Sequence, residues 1–416
     1  MRESLKNTIE IGEGISSSKR LWMAVVLGSL AAFGPLSIDM YLPALPNIAR
    51  DFHTSPTLAQ LSLTFFLLGL SSGQLLSGPL SDIFGRRKPL LIGLIIYFIV
   101  SLLCVFSPSI WLLVIMRLFQ GLAGSAGVVI SRAIVRDLYS GSELTKFFAL
   151  LALVNGLAPI LAPVVGAQLL KVVSWHGLFL VLSAIGLIMF LVVLFGLPET
   201  LHEESRSSGG IKHTFRTFRN LILDKSFIGY ALAQGLVFAS MFAYISGSPF
   251  MIQTIYKGSP QMFSMIFAIN AVGIMIASQT TGRLAGRISE SKLFVFGLII
   301  SFIGGICLLI CISLNVSLFL ILVPLFFVVA SVGITNTAGF SLAMQKQGKN
   351  AGSASALLGV LSLAMGAIAA PFVGVGGEHT AIPMGIAIVC ASSGAVLAYL
   401  VLIFRTSKKE ESSGLS

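Results

Sequence analysis

The chain has 416 residues, 56% of them hydrophobic and only 10% charged, with a mean hydropathy of +0.95. A water-soluble domain of this length cannot hide so much apolar surface, whereas lipid faces it directly. The net charge of +11 would point to nucleic acid only if the basic residues formed one patch, and they do not.

Twelve membrane spans are predicted, near residues 21–42, 57–77, 89–107, 110–130, 144–169, 175–197, 227–250, 261–281, 292–313, 317–340, 352–375 and 381–404. Each is a continuous apolar run of about twenty residues. A β-barrel is excluded, because its strands would be about ten residues long and alternate apolar with polar. With both termini on the cytoplasmic side, 23 of the 27 Lys and Arg residues fall on that side. They include Arg86, Arg87, Lys88, Arg132, Arg136, Arg216, Arg283, Lys346 and Lys408, while Arg50, Lys171 and Lys257 fall outside. The basic excess is the positive-inside signal spread over alternate loops, so no nucleic-acid partner is expected.

Residues 1–20 read as a polar cytoplasmic tail, and Lys19-Arg20 abuts Leu21, so the first span serves as an uncleaved signal anchor. Late in that span stands Asp39, the one carboxylate inside a long apolar segment. A lone ionisable group at bilayer depth costs roughly 2.5–3.5 kcal/mol on insertion scales, so it is normally kept for a task. In a transporter that task is to take up and release a proton. A competing reading places Asp39 at the outer membrane–water boundary, hydrogen-bonded to backbone around Pro43.

After the second span comes Gly78-Pro79-Leu80-Ser81-Asp82-Ile83-Phe84-Gly85-Arg86-Arg87-Lys88. Small residues let helices approach as the chain turns. Asp82 can meet a helix N-terminus or a basic residue, and the arginines anchor at an anionic surface. Gly78, Asp82, Gly85, Arg86 and Arg87 are therefore candidates for a conformational latch between two halves. In the fourth span, Arg117 cannot lose its proton and needs a carboxylate, carbonyls or water beside it. Asp39 is the only span-embedded carboxylate available, so a pair or water-bridged relay is expected, with a purely structural tie to carbonyls as the alternative.

The longest polar stretch between spans, residues 199–225, reads as a cytoplasmic linker between bundles at 21–198 and 226–404, with a tail at 405–416. The halves are alike: Gly78 matches Gly282, Leu80 matches Leu284, Ser81 matches Ala285, and Gly286 stands for Asp82. Such a duplication implies a mid-membrane site between rocking halves. Most of the polar residues within spans (Gln74, Gln120, Asn155, Gln234, Asn270, Gln279, Asn336) are expected to face a cavity or another helix. Tyr41, Phe65, Phe66, Phe119, Phe238, Phe242, Tyr244 and Phe267 are candidates for an aromatic pocket. From these two groups, Tyr41, Gln120, Asn155, Phe238, Phe242, Tyr244 and Asn270 form the candidate substrate site. Pro35, Pro159, Pro163, Pro249 and Pro371 interrupt spans, and Gly69/Gly73 and Gly282/Gly286 invite close helix contact. Cys104, Cys307, Cys311 and Cys390 lie in apolar spans without ligand spacing. No metal and no cofactor is expected. Paired catalytic groups at depth are absent from the spans, which speaks against an enzyme. The two-half repeat speaks against a channel.

The segment 78–88 resembles the loop between helices two and three of the major facilitator superfamily. Arg117-Leu118-Phe119-Gln120-Gly121 is similar to the fourth-helix motif of that superfamily. Ala158-Pro159-Ile160-Leu161-Ala162-Pro163-Val164-Val165-Gly166-Ala167 is similar to its fifth-helix antiporter motif, with Ala162-Pro163 and Gly166-Ala167 where Gly-Pro and Gly-Gly are expected. Asp39-Met40-Tyr41-Leu42-Pro43-Ala44-Leu45-Pro46, Leu197-Pro198-Glu199-Thr200-Leu201, Tyr244-Ile245-Ser246-Gly247-Ser248-Pro249-Phe250 and Ala351-Gly352-Ser353-Ala354-Ser355-Ala356-Leu357 narrow the resemblance to the bicyclomycin/chloramphenicol-resistance branch. Trp175-His176 departs from the Trp-Arg expected there. The resemblance implies an all-α fold of twelve transmembrane helices in two pseudo-symmetric six-helix halves. It implies a drug:proton antiporter of a bacterial cytoplasmic membrane, with Asp39 and Arg117 in proton coupling and Pro159, Pro163 and Gly166 in the antiporter motif. The expected partners are a small-molecule drug, protons and the lipid bilayer, and a monomer is expected. Export of an endogenous metabolite, such as an amino acid or a dipeptide, is the alternative.

Overall fold

In lipid every backbone N–H and C=O has to be satisfied within its own segment, and the apolar runs accordingly form helices. The structure, a computed structural model, describes residues 17–206, 210–345, 347 and 351–404. Of the expected tails, residues 1–16 and 405–416 fall outside these residues, while Ser17–Arg20 of the first tail are helical. In chain order the α-helices are α1 (Ser17–Ala31), α2 (Phe33–Asp39), α3 (Leu45–Asp51), α4 (Pro56–Phe84), α5 (Arg87–Val105), α6 (Ile110–Leu138), α7 (Gly141–Leu169) and α8 (Trp175–Gly196). They continue as α9 (Gly210–Leu223), α10 (Lys225–Phe250), α11 (Pro260–Leu284), α12 (Glu290–Ser313), α13 (Leu318–Met344), α14 (Ala351–Ala369) and α15 (Ile382–Ala398). Among the described residues eleven helices are long and apolar enough to cross a membrane, and there are twelve spans if the bent pair Leu21–Ala31 with Phe33–Asp51 counts as one.

The bend between α1 and α2 is 42° and has a local cause. Pro35 has no N–H to offer the Ala31 carbonyl four residues back, so the ladder loses that bond, while Ala32 N still donates to the Gly28 carbonyl and Leu36 N to the Ala32 carbonyl. Elsewhere the sequence sets its own helix ends. Ser109 accepts from Leu112 N at 3.3 Å to start α6, and Ser259, followed by Pro260, accepts from Met262 N at 3.1 Å to start α11. Asp224 accepts from Ser226 N and Phe227 N to start α10. Pro249 is followed by a π-turn at Met251–Ile255, and Pro371 opens the 3-10 segment Ala370–Gly376. The linker contains a helix the sequence reading did not anticipate, α9, with Phe218 and Leu221 buried.

Two compact units emerge, Met1–Tyr41 with Gly69–Ile211, and Leu42–Leu68 with Lys212–Ser416. Helix α4 is shared, its first half in the second unit and its second half in the first. In the first unit α5 packs on α6 and α8, and α2 packs on α6 and α7. Its core includes Leu27, Leu30, Phe33, Leu94, Tyr97 and Ile130. Gly69 and Gly73 bring α4 against α6: a Cβ on Gly69 would lie 2.0 Å from the Leu118 carbonyl oxygen. The contact expected at Gly282 and Gly286 does not form among the described residues, since a Cβ on either would meet nothing within 4 Å. Gly286 instead takes φ +89° in the turn after α11, as Gly85 takes φ +86° after α4.

In the second unit α10 packs on α13, α14 and α15, while α13 packs on α11 and α12. Its α4 portion is tied in by Gln60, whose Nε2 donates to the Ser246 carbonyl at 3.1 Å.

Candidate functional site

Asp39 ends α2 and is only 4% exposed. Among the described residues no hydrogen bond or ion pair reaches its carboxyl, so the bond to backbone around Pro43 that the boundary reading expects is not formed. A charge placed here has to be met by a proton or by a cation, because an unpaired buried carboxylate is costly.

A cation is bonded to the same helix. Arg117 on α6 is fully buried, and its link to the first span runs through backbone: Nη2 donates to the Ser37 carbonyl at 2.9 Å. Nη1 donates to Gln120 Oε1 at 2.5 Å, and the guanidinium carbon sits 4.3 Å from the centroid of the Tyr41 ring. The Tyr41 ring in turn tilts against Phe179 at 5.9 Å. Gln120 passes the network on, its Nε2 donating to Ser101 Oγ at 2.7 Å. Ser37 Oγ and Tyr97 OH share a hydrogen bond of 2.6 Å. The expected tie of Arg117 to a carbonyl is present at Ser37. Of the sequence candidates, Tyr41, Arg117 and Gln120 are thus brought together, and Asp39 follows the Ser37 carbonyl by two residues. Ser37, Tyr97 and Ser101 were missed, although a tyrosine hydroxyl inside a span needs a partner and Tyr97 could have been found that way.

Gly166 of α7 closes on the same segment, since a Cβ there would lie 1.9 Å from the Met40 carbonyl oxygen. Pro159 and Pro163 sit within α7, which continues through both.

A second cluster forms at the turn after α4. Arg86 Nε donates to Asp137 Oδ2 at 2.7 Å, and its Nη1 donates to Asp82 Oδ1 at 2.5 Å and to Ser81 Oγ at 2.9 Å. Burial works against the Arg86 charge, but the hydrogen bonds and attraction from Asp137 and Asp82 outweigh it and raise its pKa above the ordinary value. Glu199 accepts from the backbone N–H of Arg86 at 2.8 Å, Arg87 at 3.1 Å, and Thr200 and Leu201 at 3.0 Å each. Partial burial pushes the Glu199 carboxyl up, and these four donors more than reverse that, leaving its pKa below the ordinary value. Gly85 is obligatory in this turn, for its positive φ and because a Cβ would meet Glu199 Oε2 at 2.4 Å. Gly78 is roomier, with Val129 at 3.9 Å. The latch residues thus join α4, α5, α6 and the end of α8 within one unit. Asp137 and Glu199 were missed because each lies beyond the apolar run.

The offset that matches Gly78 with Gly282 also takes Arg86 to Glu290 and Asp137 to Ser341. There Ser341 Oγ donates to Glu290 Oε1 at 2.9 Å. The duplicated contact survives, with an ion pair in one copy and a hydroxyl–carboxylate bond in the other.

The other predicted substrate residues are dispersed. Asn270 Nδ2 donates to Tyr244 OH at 2.9 Å, and the Tyr244 ring stacks with Phe267 at 5.8 Å. Phe242 is wedged against Gly366 of α14 as packing, and Phe238 is half-buried. Asn155 turns back to its own helix, donating to the Leu151 carbonyl at 2.8 Å. Gln234 Nε2 donates to Asn336 Oδ1 at 2.8 Å. Phe119 is 46% exposed on the outside of its helix bundle. Among the described residues no group of three or more His, Cys, Asp or Glu could hold a metal.

The family model for the Major Facilitator Superfamily matches residues 27–371. The chain belongs to the Major Facilitator Superfamily. It is therefore a multi-pass membrane transporter and not an enzyme. It is 46% identical to an uncharacterized superfamily transporter, YdgK, of Bacillus subtilis, over 89% of this chain and 92% of the relative. It is 31% identical to a bicyclomycin resistance protein homolog of Haemophilus influenzae, over 94% and 97%. A chloramphenicol resistance protein, CraA, of Acinetobacter baumannii is 28% identical over 69% of this chain and 68% of the relative. These relatives agree with the superfamily branch that the Asp39–Pro46 segment resembles. A bacterial homolog of the human lysosomal transporter Spinster shares the superfamily fold, with a TM-score of 0.71 and 15% identity over 94% of this chain and 98% of that one.

Proposed function

We propose that this transporter is a proton-coupled multidrug antiporter that exports small amphipathic, chloramphenicol- or bicyclomycin-like drugs. It acts by alternating access of the sequence halves 21–198 and 226–404, joined by the linker 199–225. It works as a monomer in a bacterial cytoplasmic membrane with both termini inside. The observation that carries this reading is Asp39: a buried carboxyl with no described partner, on a helix that a permanent cation, Arg117, holds by the Ser37 carbonyl. Such a group exchanges a proton against substrate, because occupancy by either removes the need for the other. The names of the bicyclomycin- and chloramphenicol-resistance relatives support the choice of drug as cargo.

Inverted membrane vesicles with an acidified interior provide the test. Chloramphenicol is expected to dissipate the proton gradient with the wild-type protein and not with Asp39→Asn. Equal dissipation by both would remove Asp39 from the mechanism. Dissipation by amino acids or dipeptides alone would move the cargo to endogenous metabolites.

A further inference from the structure

Helix α2 has only seven residues, and although Leu36 N bonds the Ala32 carbonyl across the bend, that short ladder alone does not fix where Asp39 sits. It is held instead from three neighbouring helices. From α5, the Tyr97 ring meets Phe33 edge-on at 4.7 Å while its hydroxyl bonds Ser37 at 2.6 Å, one turn further along the same face. From α6, Arg117 holds the Ser37 carbonyl. From α7, Gly166 meets the Met40 carbonyl. The Tyr97 position is itself built. Its ring is slotted between two glycines, where a Cβ on Gly186 would come within 2.8 Å and one on Gly124 within 3.4 Å.

Ser37 is the residue on which these supports converge. Its side chain faces Tyr97, its carbonyl faces Arg117, and Asp39 follows two residues later. We infer that Ser37 and Tyr97 are positioning residues for Asp39: their shared hydrogen bond, together with the Arg117 bond to the Ser37 carbonyl, fixes the α2 turn and with it the surroundings of the carboxyl. Loss of the Ser37–Tyr97 bond frees α2 to rotate about the bend, which changes what surrounds the carboxyl. A carboxyl in changed surroundings binds its proton with a changed affinity. The charged and titratable groups around this turn are Tyr97 and Cys104 from α5 and Arg117 from α6, with Tyr41 following in the chain. Helix α7 carries only Glu143 and Lys146, at its other end. A reporter on Asp39 therefore reads a small, nameable set of groups.

This inference rests on Asp39 as the proton site, and the experiment separates the two. Full-length protein in detergent is treated with dicyclohexylcarbodiimide across a pH series, and labelling of Asp39 is followed by mass spectrometry alongside chloramphenicol-driven proton exchange in vesicles. Tyr97→Phe keeps the ring in its slot and removes only the hydroxyl. Ser37→Ala removes the other partner, and Ser37→Thr restores it. Tyr97→Phe and Ser37→Ala are expected to displace the pH midpoint of labelling by about one unit and to slow proton exchange at least about tenfold. Ser37→Thr is expected to return both towards wild type. Wild-type midpoints in Tyr97→Phe and Ser37→Ala, with Asp39→Asn inactive, would overturn the positioning role and leave Asp39 in place. Wild-type exchange in Asp39→Asn would overturn the proton site itself and the positioning role with it.

Discussion

Lysine in place of Arg117 keeps the charge and loses the fork. The guanidinium reaches the Ser37 carbonyl, Gln120 and the Tyr41 ring at once, and an ammonium on a flexible stem cannot. Arg117→Lys is therefore expected to cut proton-driven transport by more than about tenfold, read as initial rates in vesicles. A wild-type rate would reduce Arg117 to a bare charge. Glu199 is governed by simpler electrostatics. Its carboxyl is held below the ordinary value by backbone donors, so the stability it adds is full above the unfolded carboxylate range. That contribution is lost as pH falls through the lower folded value. The group is largely solvent-exposed, so the contribution is no more than about 1 kcal/mol. Between about pH 6 and about pH 3, wild type is expected to lose more thermal stability than Glu199→Gln. Parallel declines would show that the four backbone hydrogen bonds add nothing.

Helix contacts can be tested by the pair of glycines that the sequence treats alike and the structure does not. A Cβ on Gly69 would strike the Leu118 backbone, which cannot yield as a side chain tip could. Gly69→Ala is expected to cost about 1–3 kcal/mol. Gly282 has open space, so Gly282→Ala is expected to be neutral or to stabilise by up to about 1 kcal/mol. Thermal unfolding of both variants in one detergent checks the contrast, and equal losses would contradict it. The same contrast shows where sequence reading runs out. Two glycines four residues apart state that a helix face is flat, not that another helix lies on it. The π-turn after Pro249 and the bend before Pro35 were legible as interruptions, because a missing N–H acts locally. Helix α9 was not read, although Phe215, Phe218 and Ile222 recur at helical spacing, because the charged residues around them made the linker look uniformly polar.

At the scale of the molecule, span number and limits were nearly all legible, because bilayer thickness dictates apolar length and the linker has no such constraint. The site was half legible. Asp39 and Arg117 stand out as charges in apolar surroundings, whereas Ser37 acts through its carbonyl, an atom every residue carries and no motif marks. The pairing of Asp82, Arg86 and Asp137 required knowing that α4, α5 and α6 meet at one end. Orientation rests on the distribution of Lys and Arg and can be checked directly. On a background with Cys104, Cys307, Cys311 and Cys390 replaced, single cysteines at Lys171 and Lys257 are expected to react with an impermeant maleimide in intact cells. Cysteines at Lys225 and Lys292 are expected to react only after permeabilisation, and the opposite pattern would invert the topology.

The exchange of a proton for a drug at one carboxyl is tested most directly on the purified protein. Chloramphenicol, and separately a cationic drug, is added to weakly buffered wild type and Asp39→Asn in detergent while the pH is recorded. Proton release by wild type and none by Asp39→Asn is the expected result. Equal release by both, or none by wild type with either drug, would contradict it.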